Sequence, residues 1–330
     1  MSIVPAAFRA AWEDAVARPS SDVAPLRAAS CAADPQLGDT VDPAVFDEQL
    51  AASVLLARVA WIDPHETIAV YDDMAARWLD GTPLRFDGPP AGAATLARLA
   101  TPATLPDGLG AALWQLTEDG IDPATITPRI AAFGALYPPA HRDALARAME
   151  GHPGWPELSR KTPMPRTRLG DVEGCAPGTL GHAFHRLIVD NGFDLEVLDP
   201  DSVVGFHPAI DPSSRRILQT HEILHLVGGY STSALHEVAI SGFQLAQFGH
   251  NYSRDFLAAA FTLTVVRTPA VAPVVLQVML EGWRHGRQTR PLMLVDWHEV
   301  WDEPLDALRT RHAVQPYASL VPDLPPAPAA

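Results

Sequence analysis

Apolar positions recur along this chain at helical spacing almost throughout. Asp42-Pro43 and Asp63-Pro64 each set a capping acid before a proline at the first helical position, and the runs AVFDEQLAASVLLARVAWI and HETIAVYDDMAARWLD follow them. Between Gly81 and Gly110 the segments GTPLRFDGPPAGAA and TPATLPDGLG break any period, so a boundary or long loop is expected there. Helical patterns resume in ITPRIAAFGALY and HRDALARAMEGHP, the latter with Ala144, Leu145, Ala148 and Met149 on one side. The one weakly alternating stretch is DLEVLDPDSVVG, residues 194–205. The tail LVPDLPPAPAA has little to bury and is expected to be disordered or extended. The fold class expected is mainly α, a helical bundle. It divides into a helical N-terminal region over 1–105, a helical domain over 106–316 and a proline-rich flexible tail over 317–330.

The most apolar segments are FLAAAFTLTVV (256–266) and VAPVVLQVML (271–280), separated by Arg267, Thr268 and Pro269. Each is shorter than the roughly 20 residues that a spanning helix needs, so they predict two buried or lipid-facing helices joined by a turn. Core packing and a groove for an apolar chain are both open readings. A net charge of -15 excludes a broad footprint on nucleic acid. The cysteines, Cys31 and Cys175, make neither a disulfide framework nor a zinc knuckle and read as thiols of a reducing compartment. The amino terminus lacks the apolar core of a secretory signal, so a cytoplasmic placement is expected.

Candidate chemistry concentrates in HEILH, residues 221–225. Asp211-Pro212 opens the helix that carries it and Gly228-Gly229 closes it. Histidines four apart share one helix face, which lets two imidazoles hold one metal ion. Ser231, Thr232 and Ser233 offer caps for a second helix, ALHEVAISGFQLAQF, which would fold back antiparallel with His236 and Glu237 in its first turn. Either of those two residues could complete the site. A zinc peptidase with Glu222 as base is the rival reading of HEILH. The metzincin version fails because Ser231 stands at the third ligand position; a gluzincin version would need a distant acid such as Glu281. Gln219 and Thr220 are candidates to orient the imidazoles. His182 and His185, three apart, have no confirming acid or thiol and read as surface or groove residues.

His221, His225 and, after eleven residues, Glu237 resemble the signature of the coenzyme Q biosynthesis protein 4 family, His-Asp-x-x-His followed after eleven residues by Glu. GTLGHAFHRLIVDNGF (178–193), GFQLAQFG, and GWRHGRQTRPLMLVDWHEVWDEPLDALRTRHAV (282–314) are similar to its flanking blocks, so the resemblance spans about 140–315. Glu222 departs from it, standing where the family has Asp. The resemblance implies a helical protein with a metal-binding antiparallel helix pair, working in ubiquinone biosynthesis. It implies metal ligands His221, His225 and Glu237, with Glu222 as a fourth ligand or a catalytic base. The ion would be zinc, with iron or another divalent ion as the alternative. The implied substrate is a prenylated benzenoid precursor losing its C1 carboxyl group; Arg284 and Arg287 would meet its anionic part, and Phe243 and Phe256 its apolar part. Implied partners are other ubiquinone-biosynthesis enzymes and the inner-membrane surface, and a homodimer is compatible. A non-catalytic organiser presenting the same lipid precursor is the alternative within the family.

Overall fold

The computed structural model describes residues 4–20, 22–33, 41–80, 93–119, 123–161, 164–193, 195 and 205–321. The helices are α1 (Ala6–Ala17), α2 (Ala24–Ala33), α3 (Pro43–Trp61), α4 (Thr67–Leu79), α5 (Ala93–Leu99), α6 (Leu109–Asp119), α7 (Pro123–Ala131) and α8 (Pro139–Met149). After the single turn α9 (Trp155–Leu158) come α10 (Leu180–Asn191), α11 (Asp211–Gly228), α12 (Ala234–Phe248), α13 (Asn251–Arg267), α14 (Ala272–Gln288) and α15 (Leu305–His312). No β-strand occurs among the described residues, so the protein is mainly α. The alternating stretch at 194–205 lies outside them apart from Leu195 and Gly205.

The capping residues act largely as their sequence suggests. Asp42 accepts from the backbone N–H groups of Ala44 and Val45 at the start of α3. Asp63-Pro64 instead opens a short 3-10 turn, Pro64–Glu66, and α4 begins at Thr67. Gly229 and Gly249 close α11 and α12 in the left-handed region, with φ of 77° and 68°.

One core runs across the expected boundary at 105/106. α13 is buried on nearly all sides along its length, its polar Ser253, Arg254 and Asp255 included. α3 packs along it, and α12 and α14 meet it from other directions. Its Leu257, Phe261 and Leu263 are fully buried, so core packing covers the first apolar segment instead of an open groove. Polar ties cross the same boundary: Trp61 Nε1 donates to Asp255 over 3.2 Å, Trp78 Nε1 to Gln277 over 2.7 Å and Trp283 Nε1 to Asp72 over 2.8 Å. Buried Arg58 donates to Asp63 and to the carbonyls of Val16, Ala17 and Thr101, closing α1 onto α3. Among the described residues no helix is long and apolar enough to cross a membrane.

The closest helix contact is between α12 and α14, which run parallel because 239 faces 282 and 243 faces 286. A Cβ on Gly282 would lie 1.9 Å from the Ala239 carbonyl oxygen, and one on Gly286 would lie 2.6 Å from that of Phe243. Only hydrogen fits at those positions. This pairing fixes α12, and with it one half of the site described next.

Candidate metal centre

His221 and His225 sit one turn apart on α11, their Nε2 atoms 3.2 Å from each other. Glu237, in the first turn of α12, brings Oε2 to 3.5 Å from His221 Nε2 and Oε1 to 3.3 Å from His225 Nε2. Gln244, further along α12, meets His221 while Glu237 meets His225 most closely, so the two helices run past each other in opposite senses. The donor atoms of His221, His225 and Glu237 lie within 4.8 Å of one another, the one such His, Cys, Asp or Glu group among the described residues. Two imidazoles and a carboxylate suit zinc or a non-haem iron(II) centre.

The outer nitrogens are held as metal-ligating imidazoles require. His225 Nδ1 is 3.1 Å from the Ser231 carbonyl, to which it can only donate, and that leaves Nε2 with its lone pair. His221 Nδ1 is 2.8 Å from the Gln244 side-chain amide. A half-turn of that amide puts its oxygen on Nδ1–H and frees the second Nε2. Ser253 on α13 bonds the other end of Gln244, and His250 Nδ1 lies 2.9 Å from Ser253 Oγ. Gln219 and Thr220 do not serve this purpose. Gln219 Nε2 donates to Met164 O at 2.7 Å, and Thr220 Oγ1 donates back to Arg216 O at 2.9 Å within its own helix. His236 is a loop builder, its Nδ1 accepting from Ser231 N–H at 2.7 Å.

Burial opposes charge on both His221 and Glu237, but their mutual contact outweighs it. Against that burial, the Glu237 hydrogen bond and the Glu222 and Glu237 charges push His221 up to about 9. The two histidines hold the Glu237 carboxyl far below its usual range, again against burial. The group is thus an anion already matched with a positive partner, which at neutral pH is a proton where a cation would otherwise stand.

Glu222 is not in the converging group; it is 8% exposed and lines a cleft on the neighbouring face of α11. Arg284 donates to the Ala75 carbonyl and pairs with Asp80, while Arg287 pairs with Asp72, so both bind α14 to α4. Phe243 is fully buried with its ring against Tyr230 and His285, and Phe256 stacks on Tyr252. Glu281 accepts from Tyr317 and Ser319 and so anchors the chain end, well occupied without the histidines. Cys175 is a free thiol; the Cys31 side chain lies outside the described residues.

A feature that the sequence did not announce is the strap formed by residues 314–321. The tail was expected to be flexible from 317, yet Tyr317 packs here: its N–H donates to Gly228 O at 2.7 Å and its ring stacks on Tyr230 at 4.6 Å. Tyr230 OH lies 2.6 Å from His285 Nδ1, and His285 Nε2 lies 2.8 Å from the Gln315 carbonyl. The strap therefore clamps the turn whose next residue, Ser231, orients His225. Residues 322–330 lie outside the described residues.

Residues 130–318 match the family described as Coenzyme Q (ubiquinone) biosynthesis protein Coq4. The chain is similar to the mitochondrial ubiquinone biosynthesis protein COQ4 homolog of Mus musculus, 23% identical over 152 residues that cover 45% of this chain and 54% of that protein. That of Drosophila melanogaster is 24% identical over 143 residues, 42% of this chain and 51% of that protein. The chain spans about half the length of these curated relatives. A solved structure from Nostoc punctiforme, described provisionally as a ubiquinone biosynthesis protein, is 22% identical with a TM-score of 0.49, covering 62% of this chain and 96% of that one.

Proposed function

The chain belongs to the coenzyme Q (ubiquinone) biosynthesis protein Coq4 family, and from that premise we propose that it binds a divalent metal and a prenylated benzenoid precursor in ubiquinone biosynthesis and removes the precursor's C1 carboxyl group. The observation that carries the reading is the convergence of His221, His225 and Glu237, each imidazole backed by its own hydrogen-bond partner. These three residues would hold the ion. A divalent cation there supplies a Lewis-acidic point beside which a ring carboxylate or phenolate is favoured. Replacing the carboxyl by hydroxyl is a two-electron oxidation: the carboxyl leaves as carbon dioxide, water supplies the hydroxyl oxygen, and dioxygen takes the electron pair and leaves as hydrogen peroxide. The chain's own part is to fix the imidazoles through Ser231 and Gln244 and to balance charge with Glu237, in a cluster where His225 is buried and His221 and Glu237 are part-exposed. Glu237 contact with both histidines also argues against the peptidase reading of HEILH, in which that residue has no role.

The test is metal content of the purified wild type beside His225→Ala and Glu237→Ala, followed by single-turnover incubation with a prenylated 4-hydroxybenzoate-type precursor under air. Loss of metal in both variants, with carbon dioxide released by the wild type alone, is expected. Full metal in Glu237→Ala would remove the basis of the reading. Tight precursor binding with no turnover in the metal-loaded wild type would favour an organising role.

A further inference from the structure

The hydrogen bonds behind His221 continue past Gln244. Gln244, buried on α12, meets His221 Nδ1 at 2.8 Å, and Ser253 Oγ on α13 lies 3.3 Å from the far end of the same amide. Ser253 is fully buried as well, and its hydroxyl lies 2.9 Å from Nδ1 of His250, at the start of α13. Gly249 closes α12 with a φ of 68°, so the chain turns at once and brings His250 and Ser253 against the helix that carries Gln244.

A carboxamide is an ambiguous partner for an imidazole, since its oxygen accepts and its nitrogen donates. Facing Nδ1 with oxygen, it holds the proton there and leaves Nε2 bare for a cation; facing it with nitrogen, it favours the tautomer whose Nε2 carries the hydrogen and cannot ligate. The direction of the Gln244 amide therefore decides whether His221 can serve as a ligand. With oxygen turned to His221, the amide nitrogen donates to Ser253 Oγ, and the Ser253 hydroxyl is left to donate to His250 Nδ1. That last step needs a bare ring nitrogen. Burial pushes His250 down to about 3, so the ring is neutral at neutral pH and can offer one. We propose that Ser253 and His250 are positioning residues: by taking up the Gln244 amide nitrogen in a chain of one direction, they hold His221 in its metal-binding tautomer. The inference rests on the cation site proposed above and extends that site onto α13. Burial suits the task, because in a low dielectric an amide turned the wrong way sets donor against donor at high cost.

Imidazole nitrogen NMR of the zinc-loaded wild-type chain reads the direction without any substitution: His221 Nδ1 should carry a proton and His250 Nδ1 should be bare. A proton on His250 Nδ1 in that sample means that the chain runs the other way and overturns the inference. Cobalt affinity, measured by chelator competition, asks the same question of the side chains. Ser253→Ala should bind about 10-fold more weakly than the wild type, because the amide loses its direction. Gln244→Glu should bind more tightly, since a carboxylate accepts the same hydrogen and raises the basicity of the ring. Both oxygens of a carboxylate accept, so direction is no longer at issue, and Ser253→Ala added to Gln244→Glu should cost less than about 2-fold. A serine that only supported the fold would cost the same in both backgrounds. Equal losses, or no loss in the wild-type background, overturn the inference and leave the cation site standing. Affinity is read per binding site, so partial loss of folded protein lowers the stoichiometry without imitating the effect. If the wild type binds neither zinc nor cobalt, the proposed metal site fails first and this inference falls with it.

Discussion

Replacing Gly282 by alanine puts the helix contact under the site to a direct test. The added Cβ would lie 1.9 Å from Ala239 O, 2.6 Å from its carbonyl carbon and 2.9 Å from its Cα. Ordinary contact begins at 3.4 Å, so α12 and α14 must part by about 1.5 Å, the difference between 3.4 and 1.9. The obstacle is backbone, which has no rotamer to change. Overpacking typically costs about 1–3 kcal/mol, and this case belongs at the upper end. Alanine returns roughly 1 kcal/mol of helix propensity, leaving a net loss of about 2 kcal/mol. With an unfolding entropy of about 2.1 cal/mol/K per residue over 330 residues, scanning calorimetry should show Tm lowered by about 3 °C. Because α12 carries Glu237 and Gln244, metal affinity should fall as well, by roughly tenfold. Gly174→Ala is the control, since a Cβ there meets nothing within 4 Å. If Gly282→Ala melts and binds metal like Gly174→Ala, the close approach does not hold the site and the reasoning fails.

Further outcomes follow from the same geometry. Tyr317→Ala should lower metal affinity by about 10-fold through the loosened turn before Ser231, while Tyr317→Phe, which keeps the stack on Tyr230, stays within about 3-fold; cobalt titration reads both, and an alanine variant with wild-type affinity would count against the strap. His221, raised to about 9, must lose its proton when a cation binds, so affinity measured by chelator competition should rise about tenfold per pH unit between 7 and 9 and then level; a flat profile would contradict the pairing. Without metal the sign reverses: the raised His221 pKa stabilises the fold fully below its ordinary 6.5, and that stability is lost as pH rises through about 9. Asp255 is pushed up to about 7, chiefly by burial, so its contribution falls as pH climbs from its ordinary 3.8 through 7; Asp255→Asn should gain on the order of a few kcal/mol in urea unfolding at pH 8 and little at pH 4, and an equal effect at both would refute it.

Local features of the sequence carried further than distant ones. The Asp42 cap, the closing Gly229 and the i,i+4 histidine pair depend on residues within one or two turns, and the structure realises each. Glu237 required a resemblance, because residue spacing left His236 equally open until the turn between α11 and α12 was known. Gln244 and the Ser231 carbonyl were out of reach because they act through the register of one helix against another, and a backbone carbonyl has no sequence signature at all. For Arg284 and Arg287 the sequence could not show Asp80 and Asp72, acids more than 200 residues earlier that only folding brings alongside. The Gly282-x-x-x-Gly286 spacing was a readable sign of close helix approach.

The helices before residue 130 lie outside the matched family region, yet they bear on its site by a traceable route. α3 packs along α13, and Trp61 donates to Asp255 there. Two residues earlier on α13, Ser253 bonds the Gln244 amide, and that amide meets His221 Nδ1. Each link is short, and a tilt of α13 would pass directly to the orientation of one imidazole. Buried apolar contact between α3 and α13 is non-directional, so it holds the helices together without fixing their rotation. The indole hydrogen bond is directional and sets that rotation. The N-terminal region is thus tied, through Trp61, Asp255, Ser253 and Gln244, to the helix face that carries His221.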